Sequence, residues 1–297
     1  VVHRQALVAE SPVWDGRSGT LLWVDVLRGE VHRTDVGHGS DEVTVVGTAV
    51  GAVALRHGDG LVAAAGDGFC LLPGDDGAPI GWLWRIGDGP VPPAPPVTAP
   101  NALVLRMNDA KCDPAGRLWG GSMTVDRSPG ACCLYRLEAD GVVTTALDGV
   151  TLSNGLGFSP DGRTMYYIDT PRRTIDAFDF DVASGAMHGR RSFVVLEDGV
   201  GNPDGMTVDS NGALWVALAH GSAIRRYTPA GRLDTVVPMP VAKVTSCTFG
   251  GGDLRTLFVT SACVGLSERE LVDQPLAGAV LAVETGVAGL PADRFAG

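Results

Sequence analysis

The 297-residue sequence has no signal-peptide pattern and no apolar run long enough to cross a bilayer. It has no Cys-x-x-Cys pair, so zinc ribbons and thioredoxin-like redox motifs are excluded. Its six cysteines stand mostly in apolar surroundings such as Phe69-Cys70-Leu71 and read as buried reduced thiols, with a strained Cys132–Cys133 bridge as the lesser alternative. There is no G-x-S-x-G elbow, which argues against a serine hydrolase. No long amphipathic helix is evident, which disfavours α/β barrels and doubly wound sheets. Excess positive charge is also lacking. A net charge of −11 repels nucleic acid and anionic membranes. It suits cations or neutral polar molecules equally well, and by itself it also serves solubility. The chain opens at Val1 without Met, so a trimmed N-terminus is expected, and cytoplasmic residence is the simplest expectation.

What is present is apolar residues and glycine. Hydrophobic residues make up 45% of the chain and charged residues 19%, the composition of a packed globular protein. The 41 glycines follow no collagen-like period, so they punctuate turns between many short strands. A phrase also recurs: a polar residue, an apolar stretch, a turn residue, then an apolar pair with Trp or Tyr. Glu10-Ser-Pro-Val-Trp-Asp15 leads to Leu22-Trp23-Val24, and Asn108-Asp-Ala-Lys-Cys-Asp113 leads to Leu118-Trp119. Asn154-Gly-Leu-Gly-Phe-Ser159 leads to Tyr166-Tyr167-Ile168, and Asp204-Gly-Met-Thr-Val-Asp209 leads to Leu214-Trp215-Val216. Weaker copies begin at Gly51-Ala-Val-Ala-Leu55 and Ser246-Cys-Thr-Phe249.

Successive copies are spaced roughly 40 to 57 residues apart, the period of propeller blades. Each continues into further alternating strands, such as Thr174–Phe180 and Arg191–Leu196, or Ala223–Tyr227 and Leu233–Val237. Asp161-Gly162, Asn211-Gly212 and Ala230-Gly231 supply the positive φ of tight turns. The expectation is an all-β chain forming a single domain over residues 1–297. It is a six-bladed β-propeller with four antiparallel strands per blade around a central channel. A strand near Gln5–Ala9 is expected to complete the last blade. The proline-rich stretch Gly87–Asn101 is expected to be a long loop between blades two and three near the polar mouth.

The repeat also superimposes four oxygen-bearing side chains. Glu10, Asn108, Asn154 and Asp204 each stand five residues before the turn residue of their own copy. In a propeller the first strand of each blade lines the channel, so equivalent positions converge on its axis. Two carboxylates and two amides brought together make a ring of hard oxygens. The carboxylates repel one another unless a cation lies between them. Such oxygens suit Ca²⁺, Mg²⁺ or Mn²⁺, with Zn²⁺ reachable through carboxylate and water. The recurring tryptophans, and Trp82 with Trp84, read as packing. His220 reads as a loop histidine with a lesser claim to a substrate contact at the mouth.

These phrases, with Arg106-Met-Asn108-Asp-Ala-Lys-Cys-Asp113-Pro-Ala-Gly-Arg117, Tyr167-Ile-Asp169, Pro203-Asp204-Gly205-Met206 and Thr245-Ser246-Cys247, resemble the SMP-30/gluconolactonase/luciferin-regenerating-enzyme family. The similarity runs from about residue 5 to Phe295-Ala-Gly297. It implies one divalent cation, Ca²⁺ foremost with Zn²⁺, Mn²⁺ or Mg²⁺ as alternatives, held by Glu10, Asn154 and Asp204. It implies further that Arg106 and Asn108 contact a sugar lactone and that Asp204 is the general base. Vertebrate members carry a lid Glu that touches the sugar. Here Gly121-Ser122-Met123 runs instead into Thr124–Gly130, where Asp126 is the candidate replacement.

The resulting expectation is a divalent-metal-dependent lactonase, a monomer or weak homo-oligomer whose partner is a small lactone rather than nucleic acid or membrane. The cation polarises the lactone carbonyl, Asp204 or the cation itself activates water, and Arg106 holds the substrate or the nascent carboxylate. Phosphotriester hydrolysis at the same site and a non-catalytic calcium-binding propeller are the alternatives.

Overall fold

The computed structural model describes residues 2, 4–72, 80–88 and 105–297. Six antiparallel sheets are formed, five of four strands and one of three, each built from strands consecutive in the chain. The innermost strands are Ala9–Asp15, Val50–Leu55, Leu105–Cys112, Ser153–Phe158, Asn202–Val208 and Val244–Gly250. Each touches the next, and the sixth returns to the first, so the sheets close into a six-bladed β-propeller.

Composition explains the radial order. In blade two both inner strands, packed on both faces by neighbouring blades, read as near-continuous small and apolar runs. Val50–Leu55 and Leu61–Ala65 are buried throughout. Outermost strands such as Ser40–Val45 and Leu233–Pro238 face solvent and are mostly exposed. The turn glycines Gly162, Gly212 and Gly231 take φ of 68°, 81° and 74°, as the hairpins require. Arg191–Leu196 proves to be the end of a longer strand, Ala186–Val195.

The repeated turn acid has a structural task. Asp113 and Asp209 accept backbone amides of their own turns and the indole N–H of Trp119 and Trp215, at 2.9 and 3.0 Å. Trp23, Trp119 and Trp215 are buried, and Trp84 packs from blade two onto Tyr135 of blade three. All six cysteines are free.

Ring closure departs in detail from expectation. The three-stranded sixth sheet is extended by Val2, which exchanges two backbone hydrogen bonds with Val280, while the expected closing segment runs on into blade one. That segment also ties to the ends of blade six, the Ala6 amide donating to the Gly278 carbonyl at 3.0 Å and the Leu7 carbonyl accepting from the Val264 amide at 3.0 Å. The C-terminal segment returns to blade two, where the Phe295 amide donates to the Leu55 carbonyl and the Phe295 carbonyl accepts from the His57 amide. A six-residue helix, Glu268–Asp273, is capped by Ser267 in a capping box. No helix among the described residues is long and apolar enough to cross a membrane. The expected long loop lies, from residue 89 onward, outside the described residues.

Candidate active site at the propeller axis

Every innermost strand carries one extra residue relative to its partner strand, at the same depth in all six blades. Glu10 pairs with Val24 but Val13 with Leu22, and Pro203 pairs with Leu218 but Met206 with Val216. The same shift occurs at Val50/Ala52, Met107/Ala110, Asn154/Leu156 and Val244/Ser246. A bulge bends its strand and re-aims the side chains beside it. Glu10, Asn108, Asn154 and Asp204 all lie at these bulges. In blade one Ser11 takes φ 47°, and its amide donates to Glu10 Oε2 at 2.7 Å.

Blade two has Gly51 at the bulge because a side chain there has no room. A Cβ would stand 2.1 Å from the Asn108 carbonyl oxygen. Close approach of backbones at the axis is what brings the polar groups within reach of one another.

Arg106, Asn108 and Asn154 form one hydrogen-bonded chain. Arg106 donates to Asn108 Oδ1 at 2.8 Å, and Asn108 Nδ2 donates to Asn154 Oδ1 at 2.8 Å and to the Ser153 carbonyl at 2.7 Å. Asn154 Nδ2 donates to the Thr170 hydroxyl at 2.7 Å, which donates on to the Pro203 carbonyl at 2.8 Å. The amide of Asn154 is thereby fixed, with Oδ1 as its one acceptor oxygen, and the next residue after Pro203 is Asp204. Thr170 escapes sequence reading because a single Thr after a strand carries no pattern.

Glu10 and Asp204 complete the cluster. Burial, then the charges of Asp204 and Asp109, push the Glu10 carboxyl well above its usual range, against the Ser11 amide and Arg106. Burial and Asp109 likewise push Asp204 up, opposed by Arg127, Arg106 and the Gly205 amide. Burial lowers Arg106 to about 10 although both carboxylates favour its charge. A buried carboxylate, a half-buried one and one oriented amide oxygen, with no histidine or thiol, are a donor set for a hard divalent cation. A cation there would remove the like-charge repulsion that raises both carboxyls.

Asp126 does not join this cluster among the described residues. It is exposed, and its carboxylate accepts from the amide and hydroxyl of Ser128 in its own turn. His220 stands at the end of the second strand of blade five with φ 61°, its imidazole pushed down by burial and by Lys243 and Arg127.

Further along the same strands the channel widens into a cavity of about 90 Å³, enough for several waters. Asp109, Lys111 and Cys247 line it, and Leu290–Asp293 border it. Lys111 Nζ donates to the Met206 carbonyl at 2.8 Å and faces the Asp109 charge.

The profile of the SMP-30/Gluconolactonase/LRE-like region matches residues 8–263. The chain belongs to this family. YvrE of Bacillus subtilis (strain 168), provisionally named a sugar lactone lactonase, is 34% identical over 296 residues, covering 99% of this chain and 96% of that protein. Regucalcin of Xenopus laevis is 37% identical over 306 residues, covering 100% and 97%. The crystal structure of a regucalcin from Agrobacterium tumefaciens str. C58, described as a calcium-binding protein, superposes with a TM-score of 0.89 at 26% identity, covering 99% and 95%. The superposition covers more of the chain than the matched segment alone.

Proposed function

We propose that this family member hydrolyses a sugar lactone or a similar small lactone with the help of one divalent cation, Ca²⁺ foremost, held by Glu10, Asn154 and Asp204. The observation that carries the reading is the convergence of two raised carboxyls and an oriented amide oxygen beside Arg106, at bulges on one axis. The name of the Bacillus relative supports the reaction, and the calcium-binding description of the Agrobacterium structure supports the ion.

When bound, the cation supplies Lewis-acid polarisation of the lactone carbonyl. The protein's own groups do the rest. Asp204 takes a proton from the water whose oxygen bonds to the carbonyl carbon. The acyl–oxygen bond of the ring then breaks, and the same proton passes to the departing ring oxygen, leaving a hydroxy acid. Arg106, half-buried and hydrogen-bonded to Asn108, faces the nascent carboxylate with a planar fork suited to it. Asn108 holds Asn154 and Arg106 in register and presents the face on which a sugar hydroxyl rests.

The test is a pH-stat panel of aldonolactones, plain γ- and δ-lactones and a phosphotriester, each with and without chelator. Lactone hydrolysis abolished by chelation is expected, and Asp204→Asn should lower kcat by about 10²–10⁴-fold, the range of a general base. Full turnover by the metal-stripped protein would overturn the mechanism. Tight Ca²⁺ binding with no hydrolysis of any ester would leave a binding protein instead.

A further inference from the structure

The turn Val125–Gly130 follows the second strand of blade three. Met123 and Thr124 pair with Arg106 and Leu105, so the turn rises at the same end of the sheet as Arg106. It is pinned by the Arg127 amide to the Thr124 carbonyl at 3.0 Å and by the Ser128 amide to Thr124 Oγ1 at 2.9 Å. Arg127 sits at its apex with φ 56°, exposed, and its guanidinium makes no hydrogen bond or ion pair among the described residues. Its charge nevertheless reaches Asp204, Arg106 and His220. Across the mouth, Ala219 pairs with Asn202 and bridges to Lys243, which brings His220 and a second cation to the same rim.

This positive rim is local, because the chain as a whole carries −11. Asp126, the acid of the same turn, is engaged with the amide and hydroxyl of Ser128. Deeper in the channel Asp109 is answered by Lys111. On the reading above, a divalent cation offsets Glu10 and Asp204, and Arg106 takes the carboxylate formed when the ring opens. The charge of Arg127, which no hydrogen bond or ion pair engages among the described residues, is then left without a counterpart.

We propose that Arg127 is a specificity-determining residue. It selects lactones that carry a second anionic group, a carboxylate or a phosphate, away from the ring carbonyl. The proposal rests on the lactonase reading and deepens it. An exposed guanidinium is free to swing toward such a group and to hold two of its oxygens at once.

The experiment compares kcat/KM of the Ca²⁺-loaded protein for a neutral aldonolactone, an aldarolactone with a free carboxylate, and a phosphorylated aldonolactone, at low and high salt. At least one anionic substrate should exceed the neutral one about tenfold at low salt, the scale of one charge-assisted contact. That advantage should shrink with added salt, because the contact is exposed. Arg127→Gln should lower the anionic-to-neutral ratio about tenfold, chiefly through KM, whereas Arg127→Lys should keep most of it. The two anionic arms separate carboxylate from phosphate. A neutral lactone matching both anionic ones, or an unchanged ratio in Arg127→Gln, would overturn the proposal while the lactonase reading stands. If no lactone is turned over, that reading fails. Calorimetry of open-chain aldarate against aldonate then decides this one: tighter aldarate binding that is lost in Arg127→Gln supports it, and equal binding defeats it.

Discussion

Asp109 stands between two charged neighbourhoods of the channel, with Glu10 and Asp204 on one side and Lys111 on the other. It is 8% exposed, and burial pushes its carboxyl from 3.8 up to about 6 even though Lys111 pulls it down. In metal-free protein the folded state therefore keeps a proton that the unfolded chain has already released. Stability from this group is complete below about pH 4 and is lost as the pH rises through about 6. Asp109→Asn keeps an acceptor for the Ala110 amide but removes the titration. Denaturant unfolding at a series of pH values should show the variant gaining on the wild type between pH 4 and 7. The gain should reach no more than about 3 kcal/mol, the ceiling set by 1.36 kcal/mol per pKa unit. A difference independent of pH would mean that Asp109 is ionised throughout. In the sequence Asp109 lies inside the recurring phrase, yet nothing there marks it as the deeper acid. Its neighbour Asn108 holds the repeat position, and only the bulge turns both residues toward the axis.

Bulges are also where reading by periodicity runs out. Alternation and turn glycines placed the strands of blades four and five to within a few residues, because packing between blades demands apolar residues at regular positions. One extra residue per inner strand leaves that signal almost unchanged, so the register shifts at Glu10/Val13 and Pro203/Met206 were invisible. The copy that begins at Gly51 was legible as a weaker one, and the cause was not. Gly51 lies against the backbone of Asn108, with a would-be Cβ 2.1 Å from the carbonyl oxygen and 2.7 Å from the carbonyl carbon. Gly51→Ala should therefore displace the inner strand of blade three and cost about 1–3 kcal/mol or more as overpacking. Lactonase activity should fall about 10²-fold, the penalty of misplacing reacting groups by an ångström, since Asn108 holds both Arg106 and Asn154. Gly16→Ala is the control, because a Cβ there meets nothing within 4 Å. Equal, small effects of both substitutions on the unfolding midpoint and on kcat/KM would show that the inner strands yield freely.

A ring of blades is stable only when its ends meet, and the meeting point lies beside the site. The number of blades and their circular order were legible from the spacing of the repeat, because each unit needs two neighbours to bury its faces. The seam was legible only as a segment near Gln5–Ala9, since it is made of scattered backbone contacts, Val2 with Val280 and Ala6–Val8 with residues 262–264 and 278, rather than of one patterned strand. At the axis the seam is the contact between blades six and one. There the Thr245 hydroxyl donates to the Ala9 carbonyl at 2.6 Å and lies 2.9 Å from the Thr260 hydroxyl. Ala9 precedes Glu10, so closing the ring also sets the backbone from which this carboxylate reaches the site. Asn154 and Asp204 sit on blades four and five, which need no seam to be neighbours. Thr245→Val keeps the shape but leaves a buried carbonyl without its donor, which should cost about 1–3 kcal/mol. The more telling readout is the rise in unfolding midpoint produced by saturating Ca²⁺. With Glu10 as a ligand of the proposed ion it should shrink in the variant, because a misplaced carboxylate weakens that ion for the folded state while blades four and five stay intact. An undiminished Ca²⁺-induced rise, alongside the expected loss of stability, would separate ring closure from ion binding and remove Glu10 from the ligand set.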